Sequence, residues 1–283
     1  MPARPPVPAP RAFVRRARSY AFLGALLALA CIVPDRRAAA DPESLGLLWL
    51  PEGRALSAPV PVVIALHDLT GIDSRGWHYA EHFTAAGMAV LHVELLESSA
   101  DGAGTMATGD DASLAHARLT LVIDSLAEDA RFAGAPIGLL AFGGAGQVAL
   151  DAVTDTRDGG RFAALALLYP GCATMAANVA AENTAPRSPI LLLHGNSDPA
   201  NLPADCRALA DRLARTAPVQ HRQHAGAGYA WDRIPYGLHE AVKMPWPGRP
   251  GALVPAGHSP EAAQRSAAQA AGFFTALLVA PPP

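Results

Sequence analysis

From about residue 44 to residue 279 the chain alternates short apolar runs with longer amphipathic stretches, and that alternation leaves few folds open to it. Residues 60–67 read VPVVIALH. Such an unbroken, β-branched run is what a strand buried on both faces of a sheet looks like. Residues 44–50, 88–94, 136–142, 162–169, 189–194 and 219–224 predict further strands. Helices are predicted over 76–86, closed by Gly87, and over 110–131, 147–153, 204–215 and 260–279. Strand and helix in regular succession imply an α/β domain: a mostly parallel sheet covered by helices on both faces, in three layers. No internal repeat is visible. Residues 232–258 are rich in proline and glycine and are predicted to form one long loop, a length that in a compact domain usually goes with function or motion.

The first 40 residues do not share this pattern. They hold seven arginines and one acid, with Arg11, Arg15, Arg16 and Arg18 ahead of an uncharged apolar run over 20–33. Ala38-Ala39-Ala40 then offers a small-x-small cleavage site before Asp41, so residues 1–40 are expected to be an export signal and 41–283 the exported domain, periplasmic or secreted. The apolar run is short for a span, which needs about 20 residues; no stable membrane span is expected after cleavage. An uncleaved anchor, a lipoprotein through Cys31 and a twin-arginine route through Arg15-Arg16 are the alternatives. Beyond residue 40 the chain keeps 15 basic against 24 acidic residues, and Lys243 is its one lysine. That excess of acid argues against a nucleic-acid partner. Two cysteines remain, Cys172 and Cys206, and an oxidising compartment favours a disulfide between them over two free thiols.

In a parallel sheet, ligands collect outside the carboxyl ends of the strands, so the residues just after each strand carry the chemistry. Residues 136–142 run into Gly143-Gly144-Ala145-Gly146 and then a helix. A nucleophile elbow has this context: a serine or cysteine on a sharp strand-to-helix turn, with small residues two positions to either side. Ala141 and Ala145 are small, and the nucleophile position falls on Gly143. Residues 191–199 read LLLHGNSDP and place Asp198 just past a strand. The strand at 60–67 runs into His67-Asp68-Leu69-Thr70-Gly71. The strand at 219–224 ends in His224, with Ala225-Gly226-Ala227-Gly228-Tyr229-Ala230-Trp231 behind it.

These four segments, HDLTG, AFGGA, GNSDP and AGAGYAW, resemble in type and order the motifs of the dienelactone hydrolase family of α/β-hydrolases. The resemblance runs over roughly residues 44–280 and implies the three-layer α/β-hydrolase fold. It assigns the nucleophile to Gly143, the orienting acid to Asp198 and the catalytic histidine to Tyr229. It places substrate contacts and oxyanion donors at His67, Asp68, Leu69 and the N–H of Gly144. Only Asp198 keeps its type. Glycine has nothing to attack with, and tyrosine, whose ordinary pKa is near 10, is a poor base at neutral pH. Residues 137–150 contain no Ser, Cys, Thr, Asp, Lys or His that could substitute. Two readings follow. One is a catalytically inactive, ligand-binding or scaffolding protein on a hydrolase fold. The other is an active carboxylic ester or lactone hydrolase with a rearranged site, using Cys172 as nucleophile or His224 as base. A small apolar or ester- or lactone-like molecule is the expected ligand.

Each position also has a plainer reading. Asp198 can cap the turn that follows it, Tyr229 can pack, His67 can be a satisfied core histidine, and Asp68 can order its own loop. His78 and His82 share a helix face, but two histidines without a third ligand are a weak metal signal. Neither a metal nor a cofactor is expected.

Overall fold

The computed structural model describes residues 40–52, 59–95, 109–155, 157–235 and 242–279. The export-signal reading of residues 1–39, with Cys31, lies outside the described residues. Seven strands form one sheet: β1 (Gly46–Trp49), β2 (Val62–Leu66), β3 (Ala89–Val93), β4 (Ile137–Phe142), β5 (Phe162–Leu168), β6 (Ile190–Gly195) and β7 (Val219–His224). Their order is β1-β3-β2-β4-β5-β6-β7, with β1 antiparallel to β3 and every other pairing parallel. From β2 the chain steps to β3, which inserts between β2 and the earlier strand β1, and then crosses to the other side and runs from β4 through to β7. The order therefore reverses between β2 and β4, and the crevice for a ligand opens outside their carboxyl ends.

Alternation along the buried strands sorts side chains into two cores. Val62, Ile64 and Leu66 of β2, with Leu139 and Ala141 of β4, face one layer. That layer comprises α2 (Gly109–Glu128), α3 (Ala145–Thr154), α4 (Cys172–Glu182) and α5 (Pro203–Leu213). Val63, Ala65, Leu140 and Phe142 face the other, formed by α1 (Ser74–Ala85) and α6 (Pro260–Phe274). This is the expected three-layer arrangement. Among the described residues no helix is long and apolar enough to cross a membrane.

The departures from the sequence reading are local. Helix α4 was not anticipated. Residues 232–258 are not one loop: β8 (Lys243–Pro245) and β9 (Leu253–Pro255) make an antiparallel hairpin within them. Met244 and Val254 bury themselves against the α1/α6 side and anchor the hairpin there. The α-helical part of the closing helix stops at Phe274, and Thr275–Val279 continues as a π-turn. Cys172 opens the unanticipated α4, and Cys206 lies in the first turn of α5, within the helix expected over 204–215.

Candidate functional site

Strand β4 ends at Phe142, and the next residue reverses the chain into α3. Gly143 holds φ +52°, donates its N–H to Leu168 O on β5 at 3.0 Å, and accepts at its own carbonyl from Gly146 N–H at 3.0 Å. This is the sharp strand-to-helix turn expected of an elbow. The space above it is already occupied. A Cβ on Gly143 would collide with the hydroxyl of Tyr229, and would also lie 3.3 Å from Asp68 Cβ and 3.4 Å from its Oδ2. Tyr229, to which the resemblance assigns the histidine position, fills the volume that a side chain at Gly143 would need.

Tyr229 is held there from both sides. Its carbonyl accepts from Gly257 N–H at 2.7 Å, and the segment pairs with Ala256 just beyond β9. Its ring packs edge-on against Tyr169, with centroids 5.0 Å apart. The next residue, Ala230, takes φ +47°, a left-handed step costing about 1–2 kcal/mol for a residue with a Cβ. Tyr229 and Trp231 on either side of it are both fully buried. Among the described residues the Tyr229 hydroxyl has no hydrogen-bond partner. Burial, and then the charge of Asp68, push its ionisation well above the ordinary tyrosine value, so it stays protonated and cannot act as a base near neutral pH.

Asp198 also arrives at this end of the sheet, just after β6, but its carboxylate is engaged elsewhere. Oδ1 accepts from Ala200 N–H at 2.8 Å and Oδ2 from Asn201 Nδ2 at 2.8 Å. Asn201 Oδ1 in turn accepts from the N–H groups of Gly171 and Cys172, at 2.8 and 3.1 Å, and so caps α4. Burial raises the Asp198 carboxyl to about 6, against the pull of Asn201 and the backbone N–H groups. Capping by way of Asn201 is thus its visible work.

Asp68 belongs to a buried ionic network that sequence reasoning did not find. Arg75, in the first turn of α1, donates from Nη1 to Asp68 Oδ2 at 2.8 Å, and from Nε and Nη2 to the two oxygens of Asp73 at 2.8 Å each. Tyr169 donates to Asp232 Oδ1 at 2.7 Å and Tyr79 to Asp232 Oδ2 at 2.9 Å. Ser266 on α6 accepts from Trp231 Nε1 at 3.0 Å and lies 2.7 Å from the Tyr79 hydroxyl. Burial opposes the charge on Asp68, but Arg75 beside it, with hydrogen bonds from Arg75 and Thr70, outweighs that and holds its carboxyl below the usual range. At Asp232 burial prevails over Arg75 and the two tyrosine hydroxyls, and its carboxyl is raised. Charged side chains are read from sequence as surface, so neither Arg75 nor Asp232 stood out. The Asp73 N-cap before α1 was the available signal for Arg75, since Asp73 Oδ1 also accepts from its backbone N–H at 3.0 Å.

His67 is a staple at the end of β2. Its Nδ1 lies 2.6 Å from Asp68 O, its Nε2 accepts from Leu95 N–H at 3.0 Å, and Glu94 Oε1 is 2.8 Å from Nε2. Leu69 and Gly144 are different: both line an open cleft of about 190 Å³, together with residues of α3 and α4 and of the turn between β8 and β9. Gly143, His67, Asp68, Asp198 and Tyr229 do not line it. A larger hollow of about 560 Å³ lies between β1 and α2, and no sequence-predicted site residue lines that one.

Cys172 and Cys206 form a disulfide, with Cα atoms 4.8 Å apart, that ties α4 to α5. His224 is buried at the end of β7 with its ring 5.1 Å from that of Trp231. His78 and His82 meet edge to face, ring centroids 5.4 Å apart, and no third ligand joins them among the described residues. Among the described residues the one group with metal-ligand spacing is His116, Asp155 and Asp158. Asp158 there accepts from Thr120 and pairs with Arg161.

A scan against protein-family models and a search of curated proteins found no match. Solved structures do match. Dienelactone hydrolase from Anabaena variabilis superposes with a TM-score of 0.59 at 18% identity, over 82% of this chain and 90% of that one. The dienelactone hydrolase-like promiscuous phosphotriesterase P91 from metagenomic libraries gives 0.61 at 21%, over 81% and 91%. Thermogutta terrifontis esterase 2, in its paraoxon-phosphorylated form, gives 0.60 at 13%, over 83% and 90%. At these identities the likeness establishes the fold: this chain has the α/β-hydrolase fold of dienelactone hydrolase and related esterases.

Proposed function

We propose that this is an exported, dienelactone hydrolase-like protein that has given up ester hydrolysis and works by binding a small ligand or by scaffolding. One observation carries the reading. The hydroxyl of Tyr229, at the position of the catalytic histidine, occupies the space that a side chain at Gly143 would need. Loss of the nucleophile and loss of the base are thereby a single packing solution. The substitutes considered from sequence fare no better. Cys172 is consumed by the disulfide, and His224 stands against Trp231 with its carrier strand outside the cleft lining. The disulfide also supports an oxidising compartment for the domain, in keeping with cleavage after Ala40.

Turnover of p-nitrophenyl acetate and of a simple lactone tests this. The expected result is no rate above that of a heat-denatured control, beyond the faint residue that an oxyanion-type N–H at Gly144 alone allows. A rate in the usual enzyme range of about 1–10³ s⁻¹ would overturn it, and loss of that rate in Cys172→Ala or His224→Ala would identify a rebuilt site.

A further inference from the structure

The described chain begins with a clamp. Asp41 caps the short turn Pro42–Ser44: its Oδ1 accepts from Glu43 N–H at 3.1 Å, and its carbonyl accepts from Ser44 N–H at 2.8 Å and from Ser44 Oγ at 2.6 Å. Pro42 is buried. Arg131 pairs with Glu43 Oε1 at 2.9 Å and with Asp129 Oδ2 at 2.7 Å, which ties the turn to the chain just after α2. Chain ends are poorly ordered unless tied down in this way. One further contact differs in kind. Ser125, in the last turn of α2 and 2% exposed, donates from Oγ to the carbonyl of Ala40. Cleavage after Ala40 removes that acceptor and leaves a buried hydroxyl facing the new α-amino group of Asp41.

That amino group forms in a hollow of about 310 Å³, where Ala40 and Pro42 meet Ser125, Glu128, Asp129 and Arg131. Covalent geometry places it. The nitrogen of Asp41 and the carbonyl oxygen of Ala40 belong to one planar peptide unit and lie about 2.3 Å apart. The atom that becomes the ammonium therefore already stands beside Ser125 Oγ. Its surroundings favour a cation. Asp41, Glu128 and Asp129 line the hollow against one guanidinium, and that guanidinium is taken up by Glu43 and Asp129. Glu128 is the last residue of α2, three beyond Ser125 and so on the same face. The carboxyl end of a helix carries partial negative charge, and α2 has no basic residue in its last turn to meet it.

We propose that this hollow is the seat of the mature amino terminus: the ammonium of Asp41, freed by cleavage after Ala40, is held by Ser125 Oγ and the Glu128 carboxylate, so that processing completes the fold. This rests on the cleavage in the function proposed above. Every strand and helix of the described residues lies at or beyond Pro42, so the domain released in vitro from a fusion at Asp41 is the form to test. Lys243 is its one lysine. Reductive ¹³C-methylation therefore labels two amines, and an NMR titration reads each. The Asp41 amine should titrate about one unit above the usual α-amino value of about 7.7–8.0. One glycine added ahead of Asp41 moves the amine out by about 3.8 Å and should return it to the usual value. Glu128→Gln, a change at an exposed side chain, should lower it by about half a unit. An amine whose pKa is raised by folding contributes stability below its unfolded value, and that stability is lost as pH rises through the folded value. The Asp41 form should therefore unfold at higher urea than the glycine-extended form at pH 6, and the difference should be gone by about pH 10. An Asp41 amine at the usual value, a raised value that Glu128→Gln leaves unchanged, or equal stability of the two forms at pH 6 would each overturn the proposal. Release in vitro makes these outcomes independent of export. Amino-terminal sequencing of the exported protein tests the cleavage separately, and a terminus other than Asp41 would defeat that reading instead.

Discussion

At Gly143 a side chain would meet two separate obstacles. One is the backbone, whose φ of +52° costs about 1–2 kcal/mol with a Cβ present. The other is the Tyr229 hydroxyl in the same space, and forced overpacking of that kind costs about 1–3 kcal/mol. Only the second depends on Tyr229, so the two positions should be energetically coupled. Tyr229→Phe removes a buried hydroxyl that has no partner among the described residues and should be neutral or stabilising by about 1 kcal/mol. Gly143→Ala should cost about 2–5 kcal/mol in the wild type and only the backbone part, about 1–2, in Tyr229→Phe. A double-mutant cycle from urea unfolding measures this, and additivity within about 0.5 kcal/mol would show that the two residues do not compete for one space. The glycine was legible in the sequence because an elbow has a fixed frame of small residues. The competition was not, because residues 143 and 229 are brought together by the sheet and by nothing local.

The same contrast appears among the elements. Strands β2 to β6 were readable because burial on both faces leaves a nearly unbroken apolar run, whereas β7 is a half-exposed edge strand reading VQHRQH that was still found to the residue. Helix α4 escaped because CATMAANVAAE has little contrast between its faces and its amino end is capped from a distance by Asn201. The β8–β9 hairpin escaped because its strands have three residues each and both end in proline, which reads as loop. Helix α4 depends on two tethers, the Asn201 cap and the disulfide to α5. The bridged cysteines are 34 residues apart, and closing a loop of that size in the unfolded chain is worth roughly 3–4 kcal/mol. Replacing both cysteines with serine should lower unfolding stability by about that amount. It should also weaken ligand binding, since Thr174, Met175 and Asn178 of α4 line the cleft. Thiol labelling of the domain from residue 41 onward should give no label before reduction and two after. Two labels before reduction would mean that the bond is absent.

Across the whole molecule, the end of the sheet where an esterase keeps its machinery is here held together by charge. Asp68 follows β2, Arg75 opens α1, Tyr169 follows β5, Asp232 follows the Tyr229 segment and Ser266 lies on α6. One chain of hydrogen bonds joins these five parts. Arg75 is its hub, 1% exposed and paired to both Asp68 and Asp73. A buried ion pair gains little over an apolar replacement of the whole pair, but removing one partner strands the other and costs about 3–5 kcal/mol. Arg75→Met keeps most of the side chain's bulk and removes its charge, leaving two buried carboxylates with Arg233 as the remaining cation, 3.3 Å from Asp73. Its loss in urea unfolding should fall in that 3–5 kcal/mol range. Adding Asp68→Asn to Arg75→Met should recover part of the loss, because the stranded charge is gone, whereas Asp68→Asn alone should cost less than Arg75→Met, because Arg75 keeps Asp73. If Arg75→Met cost under about 1 kcal/mol, as a solvated surface pair would, the network would not be what closes this end of the fold.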